Sequence, residues 1–163
     1  MKLVVGADHA GFPTKQLVVD SLRDAGHEVL DVGTHSDAPV DFPDIARALA
    51  AVVLDGRAER GVLVCGTGIG ASIAANKIRG IRAALAHDIY SAHQCVEHDN
   101  ANVLCLGAQV VGPKVIVDLL GAFVQAKWLP DEEFHRRVEK LEQLEAIGIS
   151  ADVGTPKSES ERA

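Results

Sequence analysis

Aromatic residues and cysteines are scarce in this chain of 163 residues. Aromatic side chains make up only 4% of the residues, against 47% hydrophobic residues in total, so valine, leucine, isoleucine and alanine must build the core. This composition suits a parallel α/β sheet better than an all-β sandwich, because strands buried on both faces are rich in aliphatic residues. The three cysteines, Cys65, Cys95 and Cys105, are odd in number and lack metal-ligand spacing. They indicate free thiols in a reducing compartment, the cytoplasm, and no metal site.

The sequence also lacks basic runs, long apolar runs and a signal-peptide pattern. Its formal net charge is −7, and no patch combines basic with aromatic residues. These absences argue against a nucleic-acid partner, because nucleic acids are bound by clustered lysine and arginine. Without an apolar run of about 18 residues, nothing predicts a membrane span. An anionic ligand would need a local cationic pocket.

Apolar segments with strand character alternate with helical patterns along most of the chain. We predict five strands, at residues 2–6, 27–32, 61–65, 81–86 and 102–106. We predict six helices, at residues 14–25, 43–55, 70–78, 89–97, 113–126 and 131–147. The alternation implies right-handed βαβ units, and therefore an α/β fold with a Rossmann-like, doubly wound sheet of five parallel strands flanked by helices. One domain should span residues 1–149, followed by a tail, residues 150–163, whose composition predicts disorder.

Residues 62–72 read as a buried strand that runs into a glycine-rich turn and then a helix. Cys65 ends the strand, and Gly66, Gly68 and Gly70 follow at alternate positions. The backbone amides of such a loop can converge on an anion, and the field of a helix N-terminus should lower the pKa of the thiol. The segment thus offers a base or nucleophile beside an oxyanion-binding loop. A buried structural cysteine is the alternative, since cysteine is often buried.

The same glycines loosely match a dinucleotide-binding fingerprint, with Ala71 at the third position and Asp88 downstream. Here, however, the loop follows the third predicted strand and a cysteine precedes it, which disfavours nicotinamide binding. A Rossmann-like nucleotide-binding module is the alternative to an enzyme.

Other polar residues are expected at the same edge of the sheet as Cys65, because parallel strands end together and ligands bind beyond their carboxyl ends. Asp8 and His9 directly follow the first strand, a position poorly suited to a core. Residues 87–88 and 107–109 should lie along this edge too. For Asp8 and His9, a helix-capping aspartate and a surface histidine are the alternative.

Two groups near the C-terminus have the chemistry of an acid and of an anion clamp. His98 lies in the polar segment 97–102, which by itself reads as a turn, although histidine titrates near neutral pH. Arg136 and Arg137 lie in the last predicted helix, where such a pair is usually solvated or salt-bridged, but guanidinium groups can also clamp a phosphate. The apolar stripe of this helix predicts packing on a partner subunit or across the domain.

Taken together, these motifs resemble the ribose-5-phosphate isomerase B family, which includes the galactose-6-phosphate isomerase subunits. The resemblance covers about residues 1–147 and is carried by segments 6–12, 41–43, 65–70, 73–77, 80–83 and 98–104. The cysteine-glycine loop followed by Ala-Ala-Asn-Lys is far more specific than the glycines alone.

The resemblance implies interconversion of an aldose phosphate and a ketose phosphate through a cis-enediolate, in the first place ribose 5-phosphate and ribulose 5-phosphate. It implies a homodimer, often paired into a tetramer, and no metal or organic cofactor. Cys65 matches the base of the family, and His98 matches an acid that helps to open the furanose ring and comes from the neighbouring subunit. The loop that holds the enediolate oxygen is matched by Gly66, Thr67, Gly68, Ile69 and Gly70.

Substrate contacts are implied for both ends of the sugar phosphate. Asp8 and His9 match sugar- and phosphate-contacting positions. Arg137 matches a phosphate-binding arginine, and Arg136 beside it is a further candidate for the phosphate. Asp99 occupies a substrate-binding position that usually holds asparagine.

Two more positions depart from the family pattern, because Gln109 and Glu133 stand where the family has arginine. These replacements remove cationic ligands for a phosphate, so the substrate could instead be another sugar phosphate, such as a six-carbon one of the galactose-6-phosphate type. A non-catalytic subunit of a hetero-oligomeric isomerase is a further alternative, against which the set Cys65, Thr67 and His98 argues.

Overall fold

The computed structural model of this chain describes residues 1–147 as one five-stranded sheet with six helices. In chain order the elements are β1 (Lys2–Ala7), α1 (Phe12–Asp24), β2 (Glu28–Asp31), α2 (Phe42–Leu54), β3 (Arg60–Cys65), α3 (Ile69–Ala75), β4 (Ala83–Leu85), α4 (Ile89–Asp99), β5 (Val103–Gly107), α5 (Pro113–Gln125) and α6 (Glu132–Ile147). All strands are parallel, in the order β2-β1-β3-β5-β4. The predicted doubly wound α/β fold is therefore confirmed. The predicted tail, residues 150–163, lies outside the described residues.

Aliphatic side chains alternate between the two faces of the sheet and bury both. Along β1, Leu3 and Val5 point towards the layer of α1, α4 and α5, whereas Val4 points towards α2 and α3. Phe123 of α5 and Leu49 of α2 are fully buried on the two faces. Helices on both faces explain why the central strands are almost continuously apolar.

The predicted boundaries differ most from the structure around β4, the short strand at one edge of the sheet. The predicted strand 81–86 shortens to Ala83–Leu85, and the predicted helix 70–78 ends at Ala75. Asn76 connects the two elements, because its Nδ2 donates to the carbonyl of Ala83 and its Oδ1 accepts the Ala83 N–H, both at 2.8 Å. A side-chain amide thus pairs with the backbone as a neighbouring strand would, which periodicity in a sequence does not reveal.

The carboxyl ends of β1, β3 and β5 lie side by side along one end of the parallel strands. We call this side of the sheet the carboxyl edge. The Asp8 N–H donates to Val64 O at 3.2 Å, and the Ala108 N–H donates to Cys65 O at 2.9 Å. The chain leaves β1 for β2 on one side, while β3 lies on the other side of β1. The crevice between the loops after β1 and β3 is therefore the switch point at which such folds bind ligands.

Helix α6 packs near the opposite edge of the sheet, the amino edge. The Leu129 N–H, just before α6, donates to Glu97 O near the end of α4 at 3.0 Å. In the first half of α6 the apolar stripe is buried, at Phe134 and Val138. In its second half the stripe is exposed, at Leu141 and Leu144. Packing of α6 on a partner subunit stays a prediction, for which the exposed half of the stripe is available. Within residues 1–147, no helix is both long and apolar enough to cross a membrane.

Candidate active site

Cys65 is the last residue of β3 and lies half-buried at the carboxyl edge. The chain turns at once: Gly68 takes a left-handed φ of +79°, and α3 begins at Ile69. A side chain on Gly68 would also press against the backbone of Leu106, so the turn requires glycine. The backbone N–H groups of Gly66 and Gly68 lie near Sγ of Cys65 and favour its thiolate. The predicted cysteine-glycine loop is present, with Cys65 at the end of β3 and α3 directly after the turn.

Asp8 places a buried carboxylate beside this sulfur. The residue is only 5% exposed, its Oδ1 accepts the Gly11 N–H at 2.8 Å, and its carboxylate is close enough to the Cys65 thiol to affect the pKa of that thiol. A side chain on Gly11 would overlap the carbonyl of Val64, so the start of α1 lies directly on the end of β3. The carbonyl of Asp8 also accepts the Phe12 N–H at 2.8 Å. The capping alternative for Asp8 is therefore supported, because both its side chain and its carbonyl accept N–H groups at the start of α1.

Burial, followed by the Asp8 carboxylate, raises the pKa of the Cys65 thiol above its ordinary value. The amides of Gly66 and Gly68 lower this pKa, but by less. The prediction that the helix field lowers the pKa of Cys65 is wrong for that reason: α3 has only seven residues, and it competes with a carboxylate supplied by another strand. Without substrate, Cys65 is a thiol at neutral pH.

The other residues of the loop line the mouth of the crevice. Thr67 is exposed, and its Oγ1 accepts the Ile69 N–H at 3.3 Å. Gly70 lies against the ring of Phe42, which a Cβ at Gly70 would approach to 3.0 Å. The structure therefore brings together the five loop residues predicted to bind substrate with Asp8 and Cys65. Sequence analysis assigned no role to Phe42, which closes one side of the loop.

Two further side chains at the carboxyl edge contact this region. The Gln109 N–H donates to Gly66 O at 2.9 Å, and its Oε1 would lie 3.1 Å from a Cβ at Gly66. His87 Nε2 accepts the Gly107 N–H at 3.1 Å. Both residues were expected at this edge because they follow the ends of predicted parallel strands, and their contacts with the ends of β3 and β5 confirm that placement.

Two side chains fasten the segment after β2 to the carboxyl edge. His9 is exposed, and its Nδ1 accepts the Val40 N–H at 3.3 Å. Lys15 is 3% exposed, and its Nζ donates to both carboxylate oxygens of Asp31, at 2.8 and 2.7 Å, and to Thr34 O at 2.6 Å. Sequence analysis missed Lys15, although its spacing matches the buried face of α1, formed by Val18, Val19 and Leu22.

His98 and Arg137 lie together at the amino edge, away from Cys65. Helix α4 starts after the carboxyl end of β4 and runs back, so His98 in its last turn reaches the opposite edge. The His98 ring stacks on Phe134, with 4.0 Å between centroids and 16° between planes. The Arg137 guanidinium lies 5.8 Å from the Phe134 ring and donates to Glu133 Oε2 at 3.1 Å. We call His98, Phe134 and Arg137 the amino-edge cluster.

The remaining predicted residues are also at the amino edge. Asp99 is exposed at the end of α4, where Asn100 with a φ of +50° stops the helix. Arg136 is exposed on α6. A single copy of the chain thus contains two separate halves of the predicted site: Asp8, His9, Cys65 and the loop at one edge, and His98, Asp99, Arg136 and Arg137 at the other.

Comparison with known proteins identifies the family. The family model described as Ribose/Galactose Isomerase matches residues 3–141. The chain belongs to this family. It is 39% identical over 146 residues to the ribose-5-phosphate isomerase B of Escherichia coli strain K12, which covers 90% of this chain and 95% of that protein. It is 41% identical over 130 residues to the D-erythrulose-4-phosphate isomerase of Pectobacterium atrosepticum, which covers 78% of this chain and 85% of that protein.

Solved structures agree with this assignment. The ribose-5-phosphate isomerase B of Clostridium thermocellum matches the fold with a TM-score of 0.88 at 40% identity, covering 90% of this chain and 99% of that one. The resemblance stated from the motifs is therefore confirmed, and the chain is an isomerase. The relatives of this isomerase are named for different sugar phosphates, so membership of the family does not decide the sugar.

Replacing Asp8 with asparagine should lower the pKa of the Cys65 thiol. Asparagine keeps an oxygen that can accept the Gly11 N–H but removes the negative charge that disfavours the thiolate. The rate at which iodoacetamide alkylates Cys65 is measured as a function of pH by peptide mass spectrometry. We expect this rate to rise at lower pH in Asp8→Asn than in the wild type. At about pH 8, the rate at Cys65 should increase severalfold as the thiolate fraction grows.

Buried Cys95 and Cys105 provide internal controls, since burial raises the pKa of Cys95 to about 11 and that of Cys105 still further. An alkylation profile for Cys65 that stays the same or moves to higher pH in Asp8→Asn would contradict the influence of the carboxylate.

Proposed function

We propose that this isomerase interconverts ribose 5-phosphate and ribulose 5-phosphate through a cis-enediolate, with Cys65 as the base. The observation that carries the proposal is the Cys65 thiol beside the Asp8 carboxylate and the amide-lined loop, in the crevice at the switch point of the sheet. The names of the relatives from Escherichia coli and Clostridium thermocellum support ribose 5-phosphate as the substrate. Unpaired cysteines favour a reducing compartment such as the cytoplasm.

Cys65 must lose its own proton before it acts as a base. We assign the acceptor of this proton to the Asp8 carboxylate, which is buried and close enough to the thiol to influence its pKa. Proton transfer to Asp8 leaves a neutral carboxyl group in the crevice. A neutral Asp8 repels the negative enediolate less than a carboxylate would, so one proton transfer both creates the base and prepares the site.

Isomerisation then moves protons within the open-chain sugar. The Cys65 thiolate takes the proton on C2, the C2–H electron pair forms the C1–C2 double bond, and the carbonyl electrons move to O1. The thiol returns a proton to C1 while a proton moves from O2 to O1 and C2 becomes the carbonyl carbon. The amides of the loop and the Thr67 hydroxyl stabilise the enediolate oxygen, where loss of one donor typically costs about 3 kcal/mol.

Ribose 5-phosphate is mainly a closed furanose, which must open first. The C1–O4 bond breaks with its electron pair on O4, O4 gains a proton, and the C1 hydroxyl loses one as the carbonyl forms. We propose that His98 is the group that donates this proton to O4. Because His98 and Cys65 lie at opposite edges of one chain, we propose that His98 comes from a second copy in a homodimer.

The surface beside the loop supports such a dimer. Large apolar side chains are exposed on α3, at the start of α4 and at the end of β4, namely Ile69, Ile73, Leu85, Ile89 and Tyr90. Helices α3 and α4 begin, and β4 ends, at the carboxyl edge. A second copy that covers this patch by two-fold symmetry would complete two equivalent sites, and further pairing to a tetramer remains part of the proposal.

The phosphate group is assigned to polar and cationic side chains from both halves of the site. His9 lies at the carboxyl edge, whereas Arg137 and Arg136 would arrive with His98 from the partner. Arg137 is paired with Glu133 in the isolated chain, so the phosphate must compete with that carboxylate for the guanidinium. Asp99, next to His98, adds negative charge near the sugar and favours contact with hydroxyl groups over contact with the phosphate.

A different sugar phosphate is the second candidate, and a specific observation favours it. The neutral Gln109 borders the loop, and Glu133 occupies the side of Arg137 that would otherwise be free for the phosphate. The Pectobacterium relative is named for a four-carbon substrate, and the family name includes galactose. A nucleotide-binding module is less consistent with the site, because the buried Asp8 carboxylate would repel a diphosphate.

Cys65→Ala should lose about a thousandfold of the turnover of ribose 5-phosphate, within the range that a positioned base contributes. In the same variant, the C1 proton of ribulose 5-phosphate should no longer exchange with D2O, as measured by proton NMR. Ribulose 5-phosphate carries its phosphate on the oxygen that would close a furanose, so this exchange reports enolisation without ring opening. Cys95→Ala is the matched control and should keep activity, and a Cys65→Ala variant with near-normal exchange would exclude Cys65 as the base.

His98→Asn should separate ring opening from enolisation. We expect turnover of ribose 5-phosphate to fall about a hundredfold, while C1 exchange of ribulose 5-phosphate stays within about threefold of the wild type. The reason is that only the closed sugar needs a donor to O4. Equal losses in the two assays would contradict the ring-opening role. Comparison of wild-type turnover of ribose 5-phosphate, galactose 6-phosphate and erythrulose 4-phosphate decides the sugar.

A further inference from the structure

We propose that Gln94 is a positioning residue that holds neutral His98 with its proton on Nε2, so that His98 presents a hydrogen-bond donor to the sugar of the partner site. The catalytic consequence rests on the proposed function of His98, whereas the protonated nitrogen itself follows from the geometry of one chain.

Gln94 and His98 are one helical turn apart on α4, and the Nε2 of Gln94 lies 2.7 Å from the Nδ1 of His98. An amide NH2 group can only donate, so Nδ1 must be the acceptor of this hydrogen bond. A neutral imidazole carries a single N–H, which is therefore on Nε2. The neighbouring glutamine thus fixes which nitrogen of His98 is the donor.

Phe134 fixes the plane of the same ring. It is 8% exposed and stacks on His98 with the rings 16° from parallel. The hydrogen bond at Nδ1 and the stacked face leave the Nε2 edge of the imidazole for other contacts. No group among residues 1–147 is hydrogen-bonded to Nε2 of His98.

A second stacked histidine on α6 shows a different arrangement. The His135 ring stacks on Trp128 with 3.9 Å between centroids. Its Nε2, however, lies 3.2 Å from Leu129 O, and a carbonyl only accepts, so this N–H is used within the chain. Both histidines thus stack on an aromatic ring and carry their proton on Nε2. The N–H of His98, unlike that of His135, is free to bind a ligand.

The donor role has a direct chemical consequence. With its proton on Nε2, neutral His98 donates that proton to O4 as the C1–O4 bond breaks. The proton that the C1 hydroxyl releases as the carbonyl forms returns to the ring, so that His98 is neutral again after the step. A carboxylate at position 94 would accept a hydrogen bond from Nδ1, and the neutral ring would then present a bare Nε2 to the sugar. An apolar side chain there would leave Nδ1 without its partner and the ring less firmly oriented.

Nitrogen-15 NMR of protein with labelled histidines shows directly which ring nitrogen is protonated. The spectrum is recorded at about pH 8, above the ordinary pKa range of histidine. The His98 signals are assigned by their loss in His98→Asn. We expect an unprotonated Nδ1 and a protonated Nε2 in the wild type, and a protonated Nδ1 in Gln94→Glu. A wild-type His98 protonated on Nδ1, or an Nδ1 unchanged in Gln94→Glu, would overturn the proposal.

Kinetics test the catalytic consequence. Gln94→Leu should lower kcat for ribose 5-phosphate about tenfold. In metal sites, losing the partner that orients a histidine has an effect of at least about this size. KM and the C1 exchange of ribulose 5-phosphate should stay within about twofold, because enolisation does not use His98. Gln16→Leu is the matched control, since Gln16 makes an equivalent bond to Asp20 one turn along the exposed face of α1.

An unchanged kcat in Gln94→Leu would overturn the positioning role. A wild-type protein without isomerisation or exchange, but with its proton on Nε2 of His98, would instead overturn the proposed function and not the arrangement of Gln94 and His98.

Discussion

The contact between the buried Asp8 carboxylate and the Cys65 thiol is the interaction on which the rest of the site depends. It exists because β1 and β3 are neighbours that end at the same edge, and because Gly11 allows the start of α1 to lie directly on β3. Burial of the thiol, followed by the carboxylate beside it, raises the pKa of Cys65. In the proposed mechanism the base therefore forms when the proton of the thiol moves to Asp8. The amides of the glycine loop are proposed to act on the enediolate oxygen, where negative charge would develop.

The direction of the helices imposes the second constraint. A helix that follows a parallel strand must run back to the amino edge, so the end of α4 and the residues of α6 packed on it cannot reach Cys65 in the same chain. His98, Phe134 and Arg137 form one stacked cluster there. In the proposed function this cluster groups a donor for the sugar with a cation for the phosphate, within a chain whose formal net charge is −7. The proposed active site therefore combines a half that holds the base and a half that holds the donor, from two copies of one chain.

Features that depend on local pattern were predictable from the sequence, and those that depend on contacts between distant segments were not. Continuous aliphatic runs such as residues 61–65 predicted strands buried on both faces, and their alternation with helices placed Asp8, Cys65 and Gln109 at one edge. The sign of the shift in the pKa of Cys65 was not predictable, because it is decided by burial and by a carboxylate 57 positions away in the printed sequence. The ends of α3 and β4 depend on the side-chain bonds of Asn76, which have no periodicity. The stacking of His98 on Phe134 depends on how the irregular segment before α6 turns back onto α4.

The most direct test of the account is complementation between two inactive variants. Cys65→Ala and His98→Asn proteins are purified separately, unfolded together, refolded as a mixture and assayed with ribose 5-phosphate. If His98 serves the Cys65 of the other copy, hybrid dimers have one intact site, and random pairing should restore about a quarter of the wild-type activity. Each variant refolded alone should remain inactive. A mixture that forms hybrid dimers, verified by native mass spectrometry, but gains no activity would contradict a site shared between two copies.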